Sequence, residues 1–226
     1  MRSDPDLAGL AGLLAEPARA AILAHLLDGR SWTATELARV AGVGAPTASV
    51  HLRRLLDGGL LATTAQGRHR YFRLASDEVA TMIEWFARHA PTPAAKTPGE
   101  RRASAQLRRC RLCFDHVAGQ LGVALAQRLV ALEWLVEEDP WYRITDSGTR
   151  ALAQLGVAAD SGRTCMDWSE RRLHIAGALG RELARQFIDR QWLVRDANTR
   201  ALWPSPSGLE QLQRAFGLES GDVGTR

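Results

Sequence analysis

Apolar and polar positions in the first ninety residues recur at the steps of three and four that are typical of amphipathic helices. Proline, glycine and capping residues indicate where each helix begins and ends. Helices are predicted over residues 4–15, from Pro17 to Leu27, from a cap at Ser31 or Thr33 to Gly42, from Pro46 to the Asp57-Gly58-Gly59 stop, and from Ser76 to about His89. Within the third, Thr33 and Glu36 have the spacing of a capping box.

Two strand-like segments interrupt this helical pattern after the fourth helix. Leu60–Thr64 and His69–Leu74 are joined by Ala65-Gln66-Gly67-Arg68, in which Gly67 suits the turn. A helix, a glycine stop and a short hairpin in this order predict a helix-turn-helix followed by a wing.

Positive charge is concentrated on this helix and hairpin. The whole chain carries a formal net charge of +4, and residues 45–75 alone hold five arginines against one acid, Asp57. A polar, basic helix beside a basic hairpin is typical of a recognition helix in a DNA groove with a wing on the phosphates. The alternative is a solvated helix and hairpin in some other α+β domain.

The predicted DNA contacts fall into three groups by position. They are Thr47, Ser49, Val50 and His51 near the bases, Arg53 and Arg54 further along the helix toward the phosphates, and Arg68, His69 and Arg70 on the wing. Val50 leaves two alternatives open, since a valine here either contacts a thymine methyl group or is buried.

The segment SVHLRRLLDGGLLATTAQGRHRYFRL resembles the recognition helix and wing of the ArsR-type winged helix-turn-helix repressors. LLAEPARAAILAHLLDG resembles the opening helices of that family, and TATELARVAGV resembles the first helix of its helix-turn-helix. The resemblance covers roughly residues 7–90. It implies a dimeric repressor that leaves its operator when an inducer binds. Because a dimer carries two recognition helices, the operator is expected to be an inverted repeat. The helix that carries metal-binding cysteines in metal-sensing relatives reads TELARVAG here, so that site is absent.

The second half of the chain contains an internal repeat. Residues 116–136 and 174–194 align without a gap and are identical at 10 of 21 positions, and each continues into a strand-like segment and a Gly-containing helix start. The predicted fold is mainly α with short β-hairpin wings. It comprises a winged helix-turn-helix domain at residues 1–90, a Pro-rich linker at 91–100, and a helical domain at 101–226 built from a duplicated winged-helix-like unit, about 116–157 and 174–218. The hairpin of the first repeat carries three acids against one arginine, and that of the second carries one acid against two arginines. Neither repeat exposes a polar, basic helix face like that of residues 47–54, which favours a sensing or structural role over DNA binding.

Cys110, Cys113 and His116 recur every three residues, which predicts that they share one side of a helix. If the two repeats pack together, Cys113 and His116 could meet Cys165, Asp167 and His174 at the seam. Thiolates and imidazoles suit zinc, copper(I) or arsenite. The arginines of residues 101–113 predict either a phosphate-contacting strip or an exposed helix face, and arginines near a thiol also favour redox chemistry there. The alternative is that the cysteines are small buried residues and that His116, which recurs as His174, is structural.

Other classes of protein find little support in the sequence. There is no Gly-rich phosphate loop, nucleophile elbow or H-x-x-x-H pair on a predicted helix, so an enzyme is not expected. Three cysteines and the absence of a signal peptide or membrane-spanning run predict a cytoplasmic protein. The expected partners are an operator duplex, a second copy of the chain and a small-molecule or metal inducer. The alternative function is a thiol- or metal-binding sensor that acts mainly through a protein partner.

Overall fold

The structure is a computed structural model that describes residues 4–91 and 97–223. The chain divides into two compact units, Met1–Trp85 and Phe86–Arg226, called here the N-terminal and C-terminal units. Residues 92–96 of the predicted linker lie outside the described residues, and a helix begins at Pro98.

The N-terminal unit contains the predicted helices and hairpin. In chain order these elements are α1 (Leu7–Leu14), α2 (Pro17–Leu26), β1 (Trp32–Thr33), α3 (Ala34–Ala41), α4 (Ala45–Asp57), β2 (Leu61–Gln66) and β3 (His69–Leu74), followed by α5 (Asp77–His89), which crosses into the C-terminal unit. Helices α3 and α4 form the helix-turn-helix, and the β2–β3 hairpin is the wing. The winged helix-turn-helix prediction is confirmed.

Local chemistry explains the limits of these elements. The Thr33 side chain accepts from the Glu36 backbone N–H, while the Glu36 carboxylate accepts from the Thr33 backbone N–H at 2.8 Å, so the capping box at the start of α3 is complete. Strands β2 and β3 pair from Leu61 opposite Leu74 to Gln66 opposite His69. This pairing leaves a two-residue turn in which Gly67 takes a φ of +60°, a value that glycine adopts at little cost.

One strand of the wing sheet was not predicted. Strand β1 pairs with β3, with Trp32 opposite Phe72, so the strand order is β1-β3-β2. The Trp32 indole N–H donates to the buried Asp28 carboxylate at 3.1 Å, and this contact fixes the loop before α3.

The C-terminal unit has more β-structure than the predicted helical domain. Its elements are α6 (Pro98–Arg109), β4 (Arg111–Cys113), β5 (His116–Ala118), α7 (Gln120–Ala131), β6 (Leu135–Glu138), β7 (Trp141–Ile144), α8 (Asp146–Gln154), β8 (Ser161–Met166), β9 (Leu173–Ala176), α9 (Gly177–Asp189), β10 (Leu193–Arg195), β11 (Leu202–Pro204), α10 (Pro206–Phe216) and α11 (Ser220–Val223). Strands β6-β7-β8-β9 form a four-stranded antiparallel sheet, and β4–β5 and β10–β11 are two-stranded.

The prediction that Cys110, Cys113 and His116 share a helix is wrong. Helix α6 ends before Cys110, and Cys113 lies opposite His116 on the antiparallel β4–β5 hairpin. The chain reverses at Phe114, which has a φ of +60°. The three-residue spacing of Cys113 and His116 therefore reflects a tight turn between two strands and not one turn of a helix.

Strands of the two halves of the C-terminal unit hydrogen-bond to each other. Each half runs strand, helix, hairpin, helix: β5–α7–β6–β7–α8 and then β9–α9–β10–β11–α10. Strand β8 pairs with β7 of the first half. In return, Leu112 of β4 donates its N–H to the Arg200 carbonyl at 2.8 Å, and Leu202 of β11 donates to the Cys110 carbonyl at 3.0 Å. The β8–β9 hairpin, which leads into the second half, is thus bound to the β6–β7 hairpin of the first. The β4–β5 hairpin, which leads into the first half, is bound to the β10–β11 hairpin of the second.

A single apolar core joins the two halves. It includes Leu121 of α7, Leu179 and Phe187 of α9, and the buried Trp192, while Trp134 packs against it. Within the described ranges 4–91 and 97–223, no single helix is long and apolar enough to cross a membrane; only the α1–α2 pair, bent by 85°, meets the length and composition test.

Candidate DNA interface and candidate metal centre

Helix α4 separates a buried face from a polar face. Ala48, Leu52 and Leu55 are buried against the N-terminal unit. The opposite face exposes predicted DNA contacts, namely Thr47, Ser49, Val50, Arg53 and Arg54. The Val50 side chain is 53% exposed, so of the two alternatives for this residue the structure excludes burial within the chain.

Two predicted contacts on α4 also have partners inside the unit. The Ser49 hydroxyl donates to the Ala45 carbonyl at 2.9 Å, which leaves its oxygen able to accept. His51 is half-buried, and its Nδ1 lies 3.5 Å from Nη1 of Arg19. Arg19 is itself buried and donates to the Gly12 carbonyl at 2.7 Å, so His51 is held at the junction of α1, α2 and α4.

The wing presents its basic residues to solvent. Arg68, His69 and Arg70 are all exposed at the β2–β3 turn. In the described part of the chain, neither these wing arginines nor Arg53 takes part in an ion pair. Their charge is not neutralised within the unit, which suits an external polyanion such as a phosphate backbone.

A second cluster lies in the C-terminal unit. Cys113, His116, Cys165 and His174 come from β4, β5, β8 and β9, and one ligand atom from each lies within 4.8 Å of the others. The Cys113 and Cys165 sulfurs are 4.0 Å apart, and His116 Nε2 is 3.1 Å from His174 Nε2. Three of the four residues are buried, and Cys165 is half-buried. The structure therefore brings together four of the six residues predicted as ligands.

His116 is oriented by its neighbours. Its Nδ1 lies 3.0 Å from the Asp115 carboxylate, which in turn accepts from Arg181 at 2.6 Å. Burial opposes a positive charge on the imidazole, but the Cys113 sulfur and Asp115 outweigh it and raise the pKa of His116 to about 10. Without a metal the ring is therefore an imidazolium paired with the Cys113 sulfur, and a metal ion that binds Nε2 would displace the proton there.

The other two predicted ligands have different surroundings. Cys110 is completely buried in the apolar core, and burial raises the pKa of its thiol, which makes it an inert core residue. Asp167 forms an ion pair with Arg111 at 2.8 Å and accepts from the Gly119 N–H at 2.7 Å. Its oxygens are occupied by structural contacts and not by the cysteine and histidine cluster.

The role of Arg111 was missed by sequence reasoning. The sequence predicts an exposed or phosphate-contacting basic strip at residues 101–113, and for Arg111 this prediction is wrong because the side chain is fully buried. The guanidinium lies over the Trp168 ring at 4.6 Å and also donates to the Leu107 carbonyl at 2.9 Å. The one sign in the sequence that Arg111 is buried is its position between two apolar residues, Cys110 and Leu112.

Comparison with known proteins agrees with the geometry of the N-terminal unit. A family model described as a helix-turn-helix domain matches residues 14–64. Over 213 residues, the chain is 38% identical to the HTH-type transcriptional regulator YdfF of Bacillus subtilis (strain 168), and the match covers 91% of this chain and 94% of YdfF.

Two solved structures are similar over less than half of the chain. One is the homodimeric winged helix-turn-helix domain of Mb0332 from Mycobacterium bovis, with 25% identity, 42% of this chain and 100% of that chain covered, and a TM-score of 0.34. The other is the cadmium sensor CmtR from Mycobacterium tuberculosis, with 32% identity, 41% and 95% coverage, and a TM-score of 0.33.

The fold and the exposed basic face of α4 define a DNA-binding winged helix-turn-helix protein, and the full-length similarity to YdfF places it among transcriptional regulators. The chain belongs to the ArsR family of these regulators and carries an additional C-terminal region beyond the winged helix-turn-helix.

Proposed function

We propose that this regulator is a homodimeric repressor that binds an inverted-repeat operator through α4 and the wing and is released by an inducer. The observation that carries the proposal is the exposed face of α4, continued by wing arginines whose charge has no partner among the described residues. Thr47, Ser49 and Val50 would read bases, while Arg53, Arg68 and Arg70 would bind phosphates.

The dimer is supported by the apolar surface of the N-terminal helix. Helix α1, with the sequence LAGLAGLL, has no buried residue, and Leu7 is 72% exposed. Its other leucines, Leu10, Leu13 and Leu14, are only half-buried, and an apolar helix that its own chain covers in part is suited to contact with a second copy. A two-fold dimer presents two copies of α4, so the half-sites should lie about 10 base pairs apart, or a multiple of that spacing.

The experiment is fluorescence anisotropy of the reduced full-length protein on its own upstream DNA, with a scrambled duplex for comparison and light scattering for the mass of the complex. We expect a dimer that prefers the upstream duplex, with affinity falling steeply as salt rises. Val50→Ala should reduce the preference for the specific duplex by about 1–2 kcal/mol, because it removes two methyl groups from an apolar contact, and should leave binding to the scrambled duplex unchanged. A monomer, or equal affinity for both duplexes, would contradict the proposal.

We also infer that the C-terminal unit is a duplicated winged-helix-like unit with a sensing or structural role. The support is the shared element order and the matched local chemistry. Thr145 and Ser205 both cap the helix after the hairpin, and their hydroxyls donate to the corresponding carbonyls of Glu133 and Gln191 at 2.7 Å.

A further inference from the structure

The Cys113, His116, Cys165 and His174 cluster is not used by the DNA interface. The four ligand atoms converge from four different strands, although the two sulfur-bearing residues are 52 positions apart and the two histidines 58. Bringing two thiols and two imidazoles to one buried point costs chain entropy and desolvation, and simple packing does not require it.

The sulfur–sulfur and nitrogen–nitrogen distances of the cluster fit a tetrahedral ion. Zinc–sulfur and zinc–nitrogen bonds of about 2.3 and 2.0–2.1 Å give tetrahedral edges of about 3.8 Å between sulfurs and about 3.3 Å between nitrogens. The observed separations are 4.0 Å for Cys113 Sγ to Cys165 Sγ and 3.1 Å for the two Nε2 atoms. Each pair is within a few tenths of an ångström of the value that one shared zinc ion requires. Disulfide sulfurs, in contrast, are only about 2.05 Å apart, so Cys113 and Cys165 do not form a disulfide here.

The residues around the ligands also suit a metal. Asp115 lies at hydrogen-bonding distance from Nδ1 of His116, and a proton on that nitrogen leaves Nε2 with its lone pair directed into the cluster. Arg181 holds the Asp115 carboxylate in place. This carboxylate–histidine arrangement is the one that commonly supports zinc ligands.

Charge and burial decide which ion fits. Two thiolates neutralise a divalent cation, so the filled site would carry no net charge in its mostly buried position. The ligand set contains no carboxylate oxygen, which excludes the hard ions calcium and magnesium as preferred occupants. Four protein ligands leave no coordination position open, as in structural zinc sites.

We propose that Cys113, His116, Cys165 and His174 bind one zinc ion that fastens the β4–β5 hairpin to β8 and β9 of the C-terminal unit. The β4–β5 hairpin leads into the first half of this unit and the β8–β9 hairpin into the second, so the ion joins the two halves. The proposal does not depend on operator binding, because the ligands and the cross-link lie entirely within the C-terminal unit.

The test uses the reduced full-length protein without DNA. After removal of metal with a chelator, one equivalent of cobalt(II) per chain should give the intense visible absorption of a tetrahedral site with thiolate charge transfer, and one equivalent of zinc should abolish it. Zinc should also raise the midpoint of thermal unfolding of the metal-free protein. Weak octahedral cobalt absorption in the wild-type protein would overturn the proposal without any variant.

The three cysteines provide matched variants. Cys113→Ala and Cys165→Ala should lose the thiolate charge-transfer band in part and bind zinc at least 100-fold more weakly. Cys110→Ala, in the same region but outside the cluster, should keep the wild-type spectrum and affinity. Asp115→Asn should keep the tetrahedral spectrum and weaken zinc binding by about 10- to 100-fold. Equal zinc affinity in all three cysteine variants would overturn the proposal, and circular dichroism would identify a variant that fails to fold.

Discussion

The Arg111 guanidinium lies 2.8 Å from the Asp167 carboxylate, and both side chains are inaccessible to solvent. Asp167 also accepts from the backbone of Gly119 and Ser169, so it ties β4 and the start of α7 to the turn after β8. A buried pair of this kind is costly to break from one side, because the remaining charge has no water to solvate it.

Asp167→Asn should therefore destabilise the C-terminal unit by about 3–5 kcal/mol. The amide keeps the shape of the carboxylate but leaves the Arg111 charge without compensation. Equilibrium urea unfolding monitored by tryptophan fluorescence would measure the change. The control is Glu138→Gln, which removes an exposed ion pair with Arg143 and should cost less than about 1 kcal/mol. Equal effects of the two variants would show that burial of the Arg111–Asp167 pair is not decisive.

The same pair predicts a dependence of stability on pH. Burial alone would raise the pKa of Asp167, but Arg111 and the hydrogen bonds hold it well below its usual value. Because the pKa is lower in the folded state, the stabilisation is complete above the ordinary carboxyl pKa of about 3.9 and is lost as the pH falls below it. The stability difference between the wild-type protein and Asp167→Asn should therefore shrink with acidification, and a constant difference down to pH ~2 would contradict this assignment.

The wing arginines should contribute charge and little sequence preference. Arg68→Ala combined with Arg70→Ala should reduce the slope of log affinity against log salt by about 2, because each phosphate contact contributes about 0.9. Affinities for specific and scrambled duplexes should fall alike. Arg150→Ala, an exposed arginine on α8, is the control and should leave the slope unchanged. An unchanged slope in the double variant would remove the wing from the DNA interface.

Helix α9 packs closely against the β4–β5 hairpin at Gly180. A Cβ atom at Gly180 would lie 2.3 Å from the Ile175 carbonyl oxygen and 3.0 Å from Cβ of His116. Gly180→Ala should therefore destabilise the C-terminal unit by about 1–3 kcal/mol and weaken cobalt binding by displacing His116. Gly99→Ala in α6, where a Cβ atom would meet only the Thr97 hydroxyl at 3.9 Å, should be neutral or slightly stabilising. Thermal unfolding of both variants distinguishes a packing clash from a general cost of replacing glycine.

The sequence predicted best those features that depend on neighbouring residues. Helix α4, its glycine stop and the wing follow from helical periodicity and from turn chemistry at Gly67, all within about thirty residues of one another. The candidate DNA face could be predicted for the same reason, because it lies opposite the buried stripe of Ala48, Leu52 and Leu55.

Features that depend on distant pairing were less predictable. Strand β1 has only two residues and is defined by its pairing with Phe72 and Tyr71, far along the chain. The Arg111–Asp167 pair spans 56 residues, and neither residue type indicates its partner. The repeat did suggest that Cys113 and His174 could approach each other, but it gave no means of separating these residues from Asp167.

Because β4 hydrogen-bonds to residues near β11, far along the chain, the order of synthesis affects how the C-terminal unit folds. The N-terminal unit is complete once Trp85 has left the ribosome, so it can fold while synthesis continues. The β4–β5 hairpin, in contrast, receives its partner only when Leu202 has been translated, about ninety residues later. During that interval its backbone edge is open to other nascent chains. A translational pause or a truncation before β11 should therefore produce a protein with an intact DNA-reading unit and an aggregation-prone C-terminal remainder.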